Sequence, residues 1–269
     1  MIPTVSRFET NQLLGHLSPA ESLWLEHDLE RVELVVGTVL HASGSALRHV
    51  YFPGTATVSL VSLMADGASA EVAVVGREGM VGVCAFMGNA GALSDAVVQR
   101  PGHAWRMSTA AVLHHTRRSP DFMQQLLGYT QALFTHMAQA SACNRHHALD
   151  EQVCRWMLQH LDRQDGNELQ VTQERMARLL GVRREGVTWA ALKLQKAGLI
   201  EYRRGRISIL DRTGLEARSC ECYGVVRRAF DRLSCSHSPA RRAPSMADMG
   251  LATLVVHRQP VAVNSMAVN

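Results

Sequence analysis

The sequence predicts an α+β chain: an N-terminal antiparallel β-barrel, a long helix and a C-terminal winged helix-turn-helix, in that order. Three observations predict it. Short Val-, Ala- and Leu-rich segments punctuated by glycine run from residue 32 to residue 107. An apolar stripe at helical spacing follows over residues 122–140. Positive charge then concentrates, since residues 171–233 hold 14 Lys and Arg against 7 Asp and Glu, whereas residues 1–170 hold 11 against 16. A basic block behind an acidic front points to a nucleic-acid-facing part fused to a part with another task.

Composition narrows the classes further. With 269 residues and 46% hydrophobic content, the chain can build two cores. Aromatic residues at 5% argue against a stacking platform for single-stranded nucleic acid. The start, MIPTVSRFETNQLL, lacks the basic-then-apolar pattern of a secretory leader, and no apolar run approaches ~20 residues. A cytoplasmic location with reduced thiols is therefore expected. Cys84, Cys143, Cys154, Cys220, Cys222 and Cys235 are scattered. Cys220-Glu221-Cys222 is expected not to bind metal, because a zinc site needs two more ligands at set spacings. The thirteen histidines, including His114-His115 and His146-His147, read as solvated or core side chains. No cofactor is expected, and no effector is named.

Residues 6–29 read as helical, with Ser18-Pro19 as a cap and first-turn proline between the clusters Leu13, Leu14, Leu17 and Leu23, Trp24. Strand-like segments follow at 32–40, 47–52, 55–64, 70–75, 80–87 and 95–107, with Asp66-Gly67 as a hairpin signal. Ser119-Pro120-Asp121 opens a helix whose Phe122, Leu126, Tyr129, Leu133, Met137 and Ala140 share one face. That face is either an ordinary core face or a seam for a second copy of the chain. Residues 145–163 form another amphipathic helix, ended by Asp165-Gly166-Asn167. Residues 234–269 lack a sustained period and are expected to be mostly disordered. The division expected is a sensor-like barrel over 10–118, a dimerisation helix over 119–144, a winged helix-turn-helix over 145–233, and a tail over 234–269.

The segment 171–210, VTQERMARLLGVRREGVTWAALKLQKAGLIEYRRGRISIL, carries the functional argument. Thr172 caps a helix with Met176, Leu179 and Leu180 inward. Gly181 sits where the chain must turn sharply. A second helix, from about Arg184 to Lys196, places Val187, Ala190, Ala191 and Leu194 on one face, and Glu185, Thr188, Trp189 and Lys196 towards the other. Such a helix can lie in the major groove of DNA. Gly198 closes it, and a hairpin around Arg204-Gly205 carries Arg203, Arg204 and Arg206 towards phosphates.

With these residues in hand, the sequence resembles the Crp/Fnr family of cyclic AMP receptor protein-like regulators. The resemblance spans about residues 10–233 and is strongest in VTQERMARLLGVRREGVTWAALKLQKAGLIEYRRGRISILD, with a second match in EVAVVGREGMVGVCAFMG. It implies a jelly-roll barrel like that of cyclic-nucleotide-binding domains, a dimer helix and a winged helix-turn-helix acting on double-stranded DNA as a homodimer, with RNA polymerase as a partner and no membrane. It implies base reading by Arg184 and Glu185, and a phosphate contact by Thr172; the DNA-contacting set extends to Arg183, Thr188, Trp189, Arg203, Arg204 and Arg206. Trp189 stands where better-known members have Arg, so a different operator is expected, or else a Trp189 packed on protein. In the barrel, Val83 stands where cyclic-nucleotide binders have Glu, and Leu93 where they have Arg. Without a guanidinium partner the cyclic phosphate would be poorly compensated, so no cyclic AMP binding is expected. No cysteine precedes Cys84, so the N-terminal iron–sulfur cluster of the oxygen-sensing branch is not expected either.

Two other classes are weighed against this. A cupin-like metal oxygenase needs His, His and carboxylate ligands on adjacent strands, and only His41, His49 and His103 fall within 30–110, without the required pairing. No GxSxG elbow, P-loop or Rossmann fingerprint is present, so no enzyme is expected. A protein-interaction module anchored by Trp189 is the remaining alternative.

Overall fold

The computed structural model describes residues 8–88 and 91–235. Two short helices open the chain, α1 (Gln12–Gly15) and α2 (Pro19–Glu26). Ser18 caps α2 in a capping box with Glu21, and Pro19 stands in its first turn, which is why the segment restarts there.

Seven strands then form the barrel: β1 (Glu30–Leu34), β2 (Val39–His41), β3 (His49–Pro53), β4 (Thr57–Leu63), β5 (Ser69–Val75), β6 (Asp95–Arg100) and β7 (Gly102–Ser108). They make two antiparallel sheets, ordered β1-β7-β3 and β2-β6-β4-β5. Val50, Phe52, Val58, Val75, Met80, Val81, Val98 and Met107 fill the space between them. Three strand expectations change. The segment 32–40 is two strands on different sheets, split by a turn at Gly37 whose N–H bonds to the Val98 carbonyl. The segment 80–87 is no strand: Val81 makes a single bridge to Tyr51, then Gly82 at φ +100° leads into a 3₁₀ turn at Val83–Ala85. The segment 95–107 changes sheets at Pro101, which has no N–H for a ladder.

Helix α3 (Thr109–Arg118) leads into α4 (Pro120–His146). Ser119 caps α4, with Pro120 and Asp121 in its first turn. Phe122, Leu126, Tyr129 and Leu133 are buried in the barrel's own core, so the stripe is a core face rather than a seam. The outer face of α4 instead leaves Leu127 and Phe134 nearly half exposed.

The remaining elements are α5 (Leu149–Leu161), β8 (Glu168–Gln170), α6 (Gln173–Leu180), α7 (Arg184–Lys196), β9 (Ile200–Arg203), β10 (Arg206–Ile209), α8 (Arg212–Arg218) and α9 (Glu221–Cys235). The small sheet is ordered β8-β10-β9. A second core joins Val153, Trp156, Met157, Leu179, Val187, Leu194, Ile207 and Leu215. Polar contacts tie this part to the barrel. Arg163 Nε donates to Glu78 Oε1 at 2.7 Å, and His160 Nε2 lies 3.2 Å from Glu71 Oε1, with all four side chains largely or wholly buried. No helix among the described residues is long and apolar enough to cross a membrane. The expected tail, 234–269, lies almost wholly outside the described residues.

Candidate nucleic-acid interface

The two helices of the motif are set by local chemistry. Thr172 Oγ1 accepts the Arg175 N–H at 3.1 Å and so caps α6. Gly181 then takes φ +68°, a left-handed conformation that strains any residue with a Cβ. The Val182 N–H returns to the Ala177 carbonyl at 3.0 Å and closes the turn. On α7, Val187, Ala190, Ala191 and Leu194 are buried.

The opposite face carries the expected reading residues. Arg183, Arg184 and Glu185 are exposed at the start of α7. No side chain caps this end, so its first N–H groups and the helix dipole present positive potential outward. Among the described residues no carboxylate pairs with Arg183 or Arg184. Thr188 is half-buried, with its hydroxyl 2.7 Å from Gln173 Oε1 and 3.0 Å from the Arg184 carbonyl. It joins the two helices and positions the end of α7. Trp189 is 75% exposed, so it does not pack into its own chain. It borders a shallow apolar groove with Leu149, Leu192 and the stems of Lys193 and Lys196.

The wing is a two-residue hairpin. Arg204 at φ +49° and Gly205 at φ +79° form the left-handed pair that suits the strand twist. Arg203, Arg204 and Arg206 are all exposed. Arg203 pairs with Glu201 at 2.6 Å and Arg206 with Glu168 at 3.3 Å. Arg204 has no acidic partner among the described residues. A Cβ on Gly205 would lie 3.5 Å from Thr172 Cγ2, so the wing tip and the start of α6 form one edge.

Three side chains outside the expected set, those of Tyr202, Lys193 and Asp150, hold this surface in place. The Gln173 N–H donates to Tyr202 Oη at 3.2 Å, and that hydroxyl donates to the Val171 carbonyl at 3.4 Å. Lys193 Nζ donates to Asp150 Oδ2 at 2.5 Å and ties α7 to the start of α5. That hydrogen bond holds the Asp150 carboxyl below its ordinary pKa. Polar residues at ordinary surface spacing give no hint of such partners in the sequence.

In the barrel, Val83 is buried in the 3₁₀ turn and Leu93 is 64% exposed. Neither places a charge in the interior. Among the described residues of 31–118, no Arg or Lys is buried.

Residues 31–118 match the model of the cyclic nucleotide-binding domain, and residues 151–218 match that of the Crp-like helix-turn-helix domain. Together they cover more than half of the chain. The protein belongs to the Crp/Fnr family. Solved structures with the same fold include a transcriptional regulator of the Crp/Fnr family from Eubacterium rectale, at 18% identity and TM-score 0.60, covering 78% of this chain and 98% of that one. FixK2 from Bradyrhizobium japonicum follows at 13% identity and TM-score 0.59, covering 71% and 98%. The c-di-GMP-responsive global regulator CLP of Xanthomonas campestris gives 18% identity and TM-score 0.56, covering 71% and 99%. No curated protein matches the sequence. This Crp/Fnr member is thus a transcription regulator with a DNA-binding helix-turn-helix, from a family of regulators rather than enzymes.

One cluster in this regulator lies away from the reading surface. The side chains of Cys143, His147, Cys220 and Cys222 converge, with one donor atom from each lying within 4.8 Å of the others. The expectation that Cys220-Glu221-Cys222 lacks further ligands is therefore corrected. The fold supplies two from more than 70 residues upstream, a separation that spacing rules do not scan.

Proposed function

We propose that this Crp/Fnr regulator acts as a homodimer that reads a near-palindromic duplex through two copies of α7. Arg184 is suited to guanine O6 and N7, and Glu185 to the cytosine amino group. Thr172, Arg183 and the wing arginines Arg203, Arg204 and Arg206 fix register on phosphates, while Thr188 positions the start of α7. Trp189 faces the duplex flank in place of an arginine and shifts the preferred sequence away from that of better-known relatives. The observation that carries this reading is the exposed, unpaired Arg183-Arg184 at an uncapped helix start. Leu127 and Phe134, seven residues apart on the outer face of α4, support pairing of two chains along that helix.

The barrel answers to a signal other than cyclic AMP. An anionic phosphate would meet no buried cation among its described residues. The chain works in the cytoplasm with RNA polymerase as its protein partner. Selection of bound DNA from a random pool with the purified full chain tests the reading. A two-fold symmetric motif with half-sites one helical turn, ~34 Å, apart is expected. Recovery of no sequence preference over competitor would overturn it. Calorimetric titration with cyclic AMP is expected to show no micromolar binding.

A further inference from the structure

We propose that Cys143, His147, Cys220 and Cys222 bind a single zinc ion that ties the start of α9 to the joint between α4 and α5. Cys143 lies in the last turn of α4, and His147 stands four residues on as its C-cap. The His147 N–H bonds to the Cys143 carbonyl at 3.0 Å, so the two side chains come off one face. Cys220 ends the α8–α9 link, and Cys222 lies in the first turn of α9. Cys143 Sγ is 3.4 Å from Cys220 Sγ, and Cys222 Sγ is 3.6 Å from His147 Nδ1. Zinc–ligand bonds of ~2.3 Å to sulfur and ~2.0 Å to nitrogen put tetrahedral ligand atoms about 3.5–3.8 Å apart. Two of the donor pairs already sit near that spacing, and all four donors lie within 4.8 Å of one another. They converge too tightly for an iron–sulfur cluster, which holds its thiolates on different irons.

The surroundings fit the same ion. The three cysteines are at most 5% exposed, yet they join neither apolar core and form a nucleus of their own. Cys154, by contrast, lies within the second core, as a thiol acting as a small hydrophobe does. His147 Nδ1 faces the sulfur of Cys222 while Nε2 lies 3.3 Å from Glu221 Oε2. A carboxylate on the far nitrogen orients a ligating imidazole and fixes its tautomer. Gln152 Nε2 donates to the His147 carbonyl at 2.9 Å and steadies the backbone there. A Cys₃His set is a standard zinc complement, and soft thiolates disfavour magnesium and calcium. Binding converts three thiols to thiolates, so three protons leave and the loaded site carries one net negative charge. Arg155 is buried and close enough to act electrostatically on the Cys143 sulfur, which offsets that charge.

Metal analysis of the full chain, purified under reducing conditions, is expected to give about one zinc per chain. Exchange for cobalt(II) is expected to produce the ligand-field and sulfur-to-metal bands of a tetrahedral thiolate site. Cys220→Ser and His147→Ala should lose the ion, and Cys84→Ser should keep it. Because the ligand variants can misfold, the unmodified chain gives a second test: chelation should lower its melting temperature, and added zinc should restore it. Glu221→Gln is expected to retain the ion with about 10–100-fold weaker affinity. A folded chain with no zinc and no cobalt–thiolate bands would overturn the proposal. So would a Cys143–Cys220 disulfide that persists in place of metal, or release of inorganic sulfide with iron.

Discussion

Arginines serve opposite ends in two regions of this molecule. At the seam between barrel and DNA-binding half, Arg163 is 5% exposed and ion-paired. It donates to Glu78 and to the Gln159 carbonyl, each at 2.7 Å, and its guanidinium lies 5.1 Å from the ring of Phe230. At the reading surface, Arg183, Arg184 and Arg204 are exposed and have no acidic partner among the described residues. A buried arginine paired with a buried carboxylate contributes to stability, because removing it strands its partner. An exposed arginine with its donors free contributes little to folding and keeps its charge for a phosphate or a base. Formal charge therefore does not locate an interface; the charge left uncompensated by the fold does.

That contrast can be broken by measurement. Arg163→Met should destabilise the chain by about 3–5 kcal/mol in urea unfolding, because Glu78 is left buried without its cation. A loss below about 1 kcal/mol would make the seam pair no stronger than a surface one. Arg184→Ala should cost about 1–3 kcal/mol of DNA binding, concentrated at one base pair, with unfolding changed by less than about 0.5 kcal/mol. An equal loss on every sequence would demote Arg184 to a backbone contact. Gly181→Ala should cost about 1–2 kcal/mol of stability through its left-handed backbone. A neutral result would mean that the turn can relax.

The smallest effect depends on pH. Burial pulls the His136 pKa well below 6.5, and its Nδ1 has no partner among the described residues. The folded chain keeps this ring neutral, whereas the unfolded chain protonates it as pH falls below 6.5. Its contribution is therefore intact above that pH and is lost on acidification, by at most about 1.4 kcal/mol per pH unit. His136→Leu should flatten the stability profile between pH 7 and pH 5. An unchanged slope would assign the acid sensitivity to other groups.

The winged helix-turn-helix was legible because it is written locally. Thr172, Gly181, Val187, Leu194 and Gly205 each set a cap, a turn or a buried face with residues only a few positions away. The barrel was legible as a strand count, but 80–87 was not, since one bridge at Val81 followed by a left-handed glycine looks like a short strand in composition. The stripe on α4 is legible from its spacing, but the barrel core that it enters is not, because spacing marks a buried face without naming what buries it. The seam and the cysteine nucleus join residues 75 to 89 positions apart. No periodicity reports a pairing at that range. Trp189 was visible as a departure, but its exposure was not, because a lone aromatic on a helix fits either face.

The contact between Gly79 and Tyr129 has a mechanical consequence. A Cβ at position 79 would fall 2.1 Å from the tyrosine ring, and the ring's hydroxyl donates to the Met80 carbonyl at 3.0 Å. Bare main chain thus abuts a rigid aromatic plate on the long helix, with no compliant side chain between them to absorb displacement. The neighbouring Glu78 grips Arg163, two residues past the end of α5. Any shift of this loop in response to a stimulus reaches both helices at once, pushing one through steric contact and pulling the other through an ionic tether.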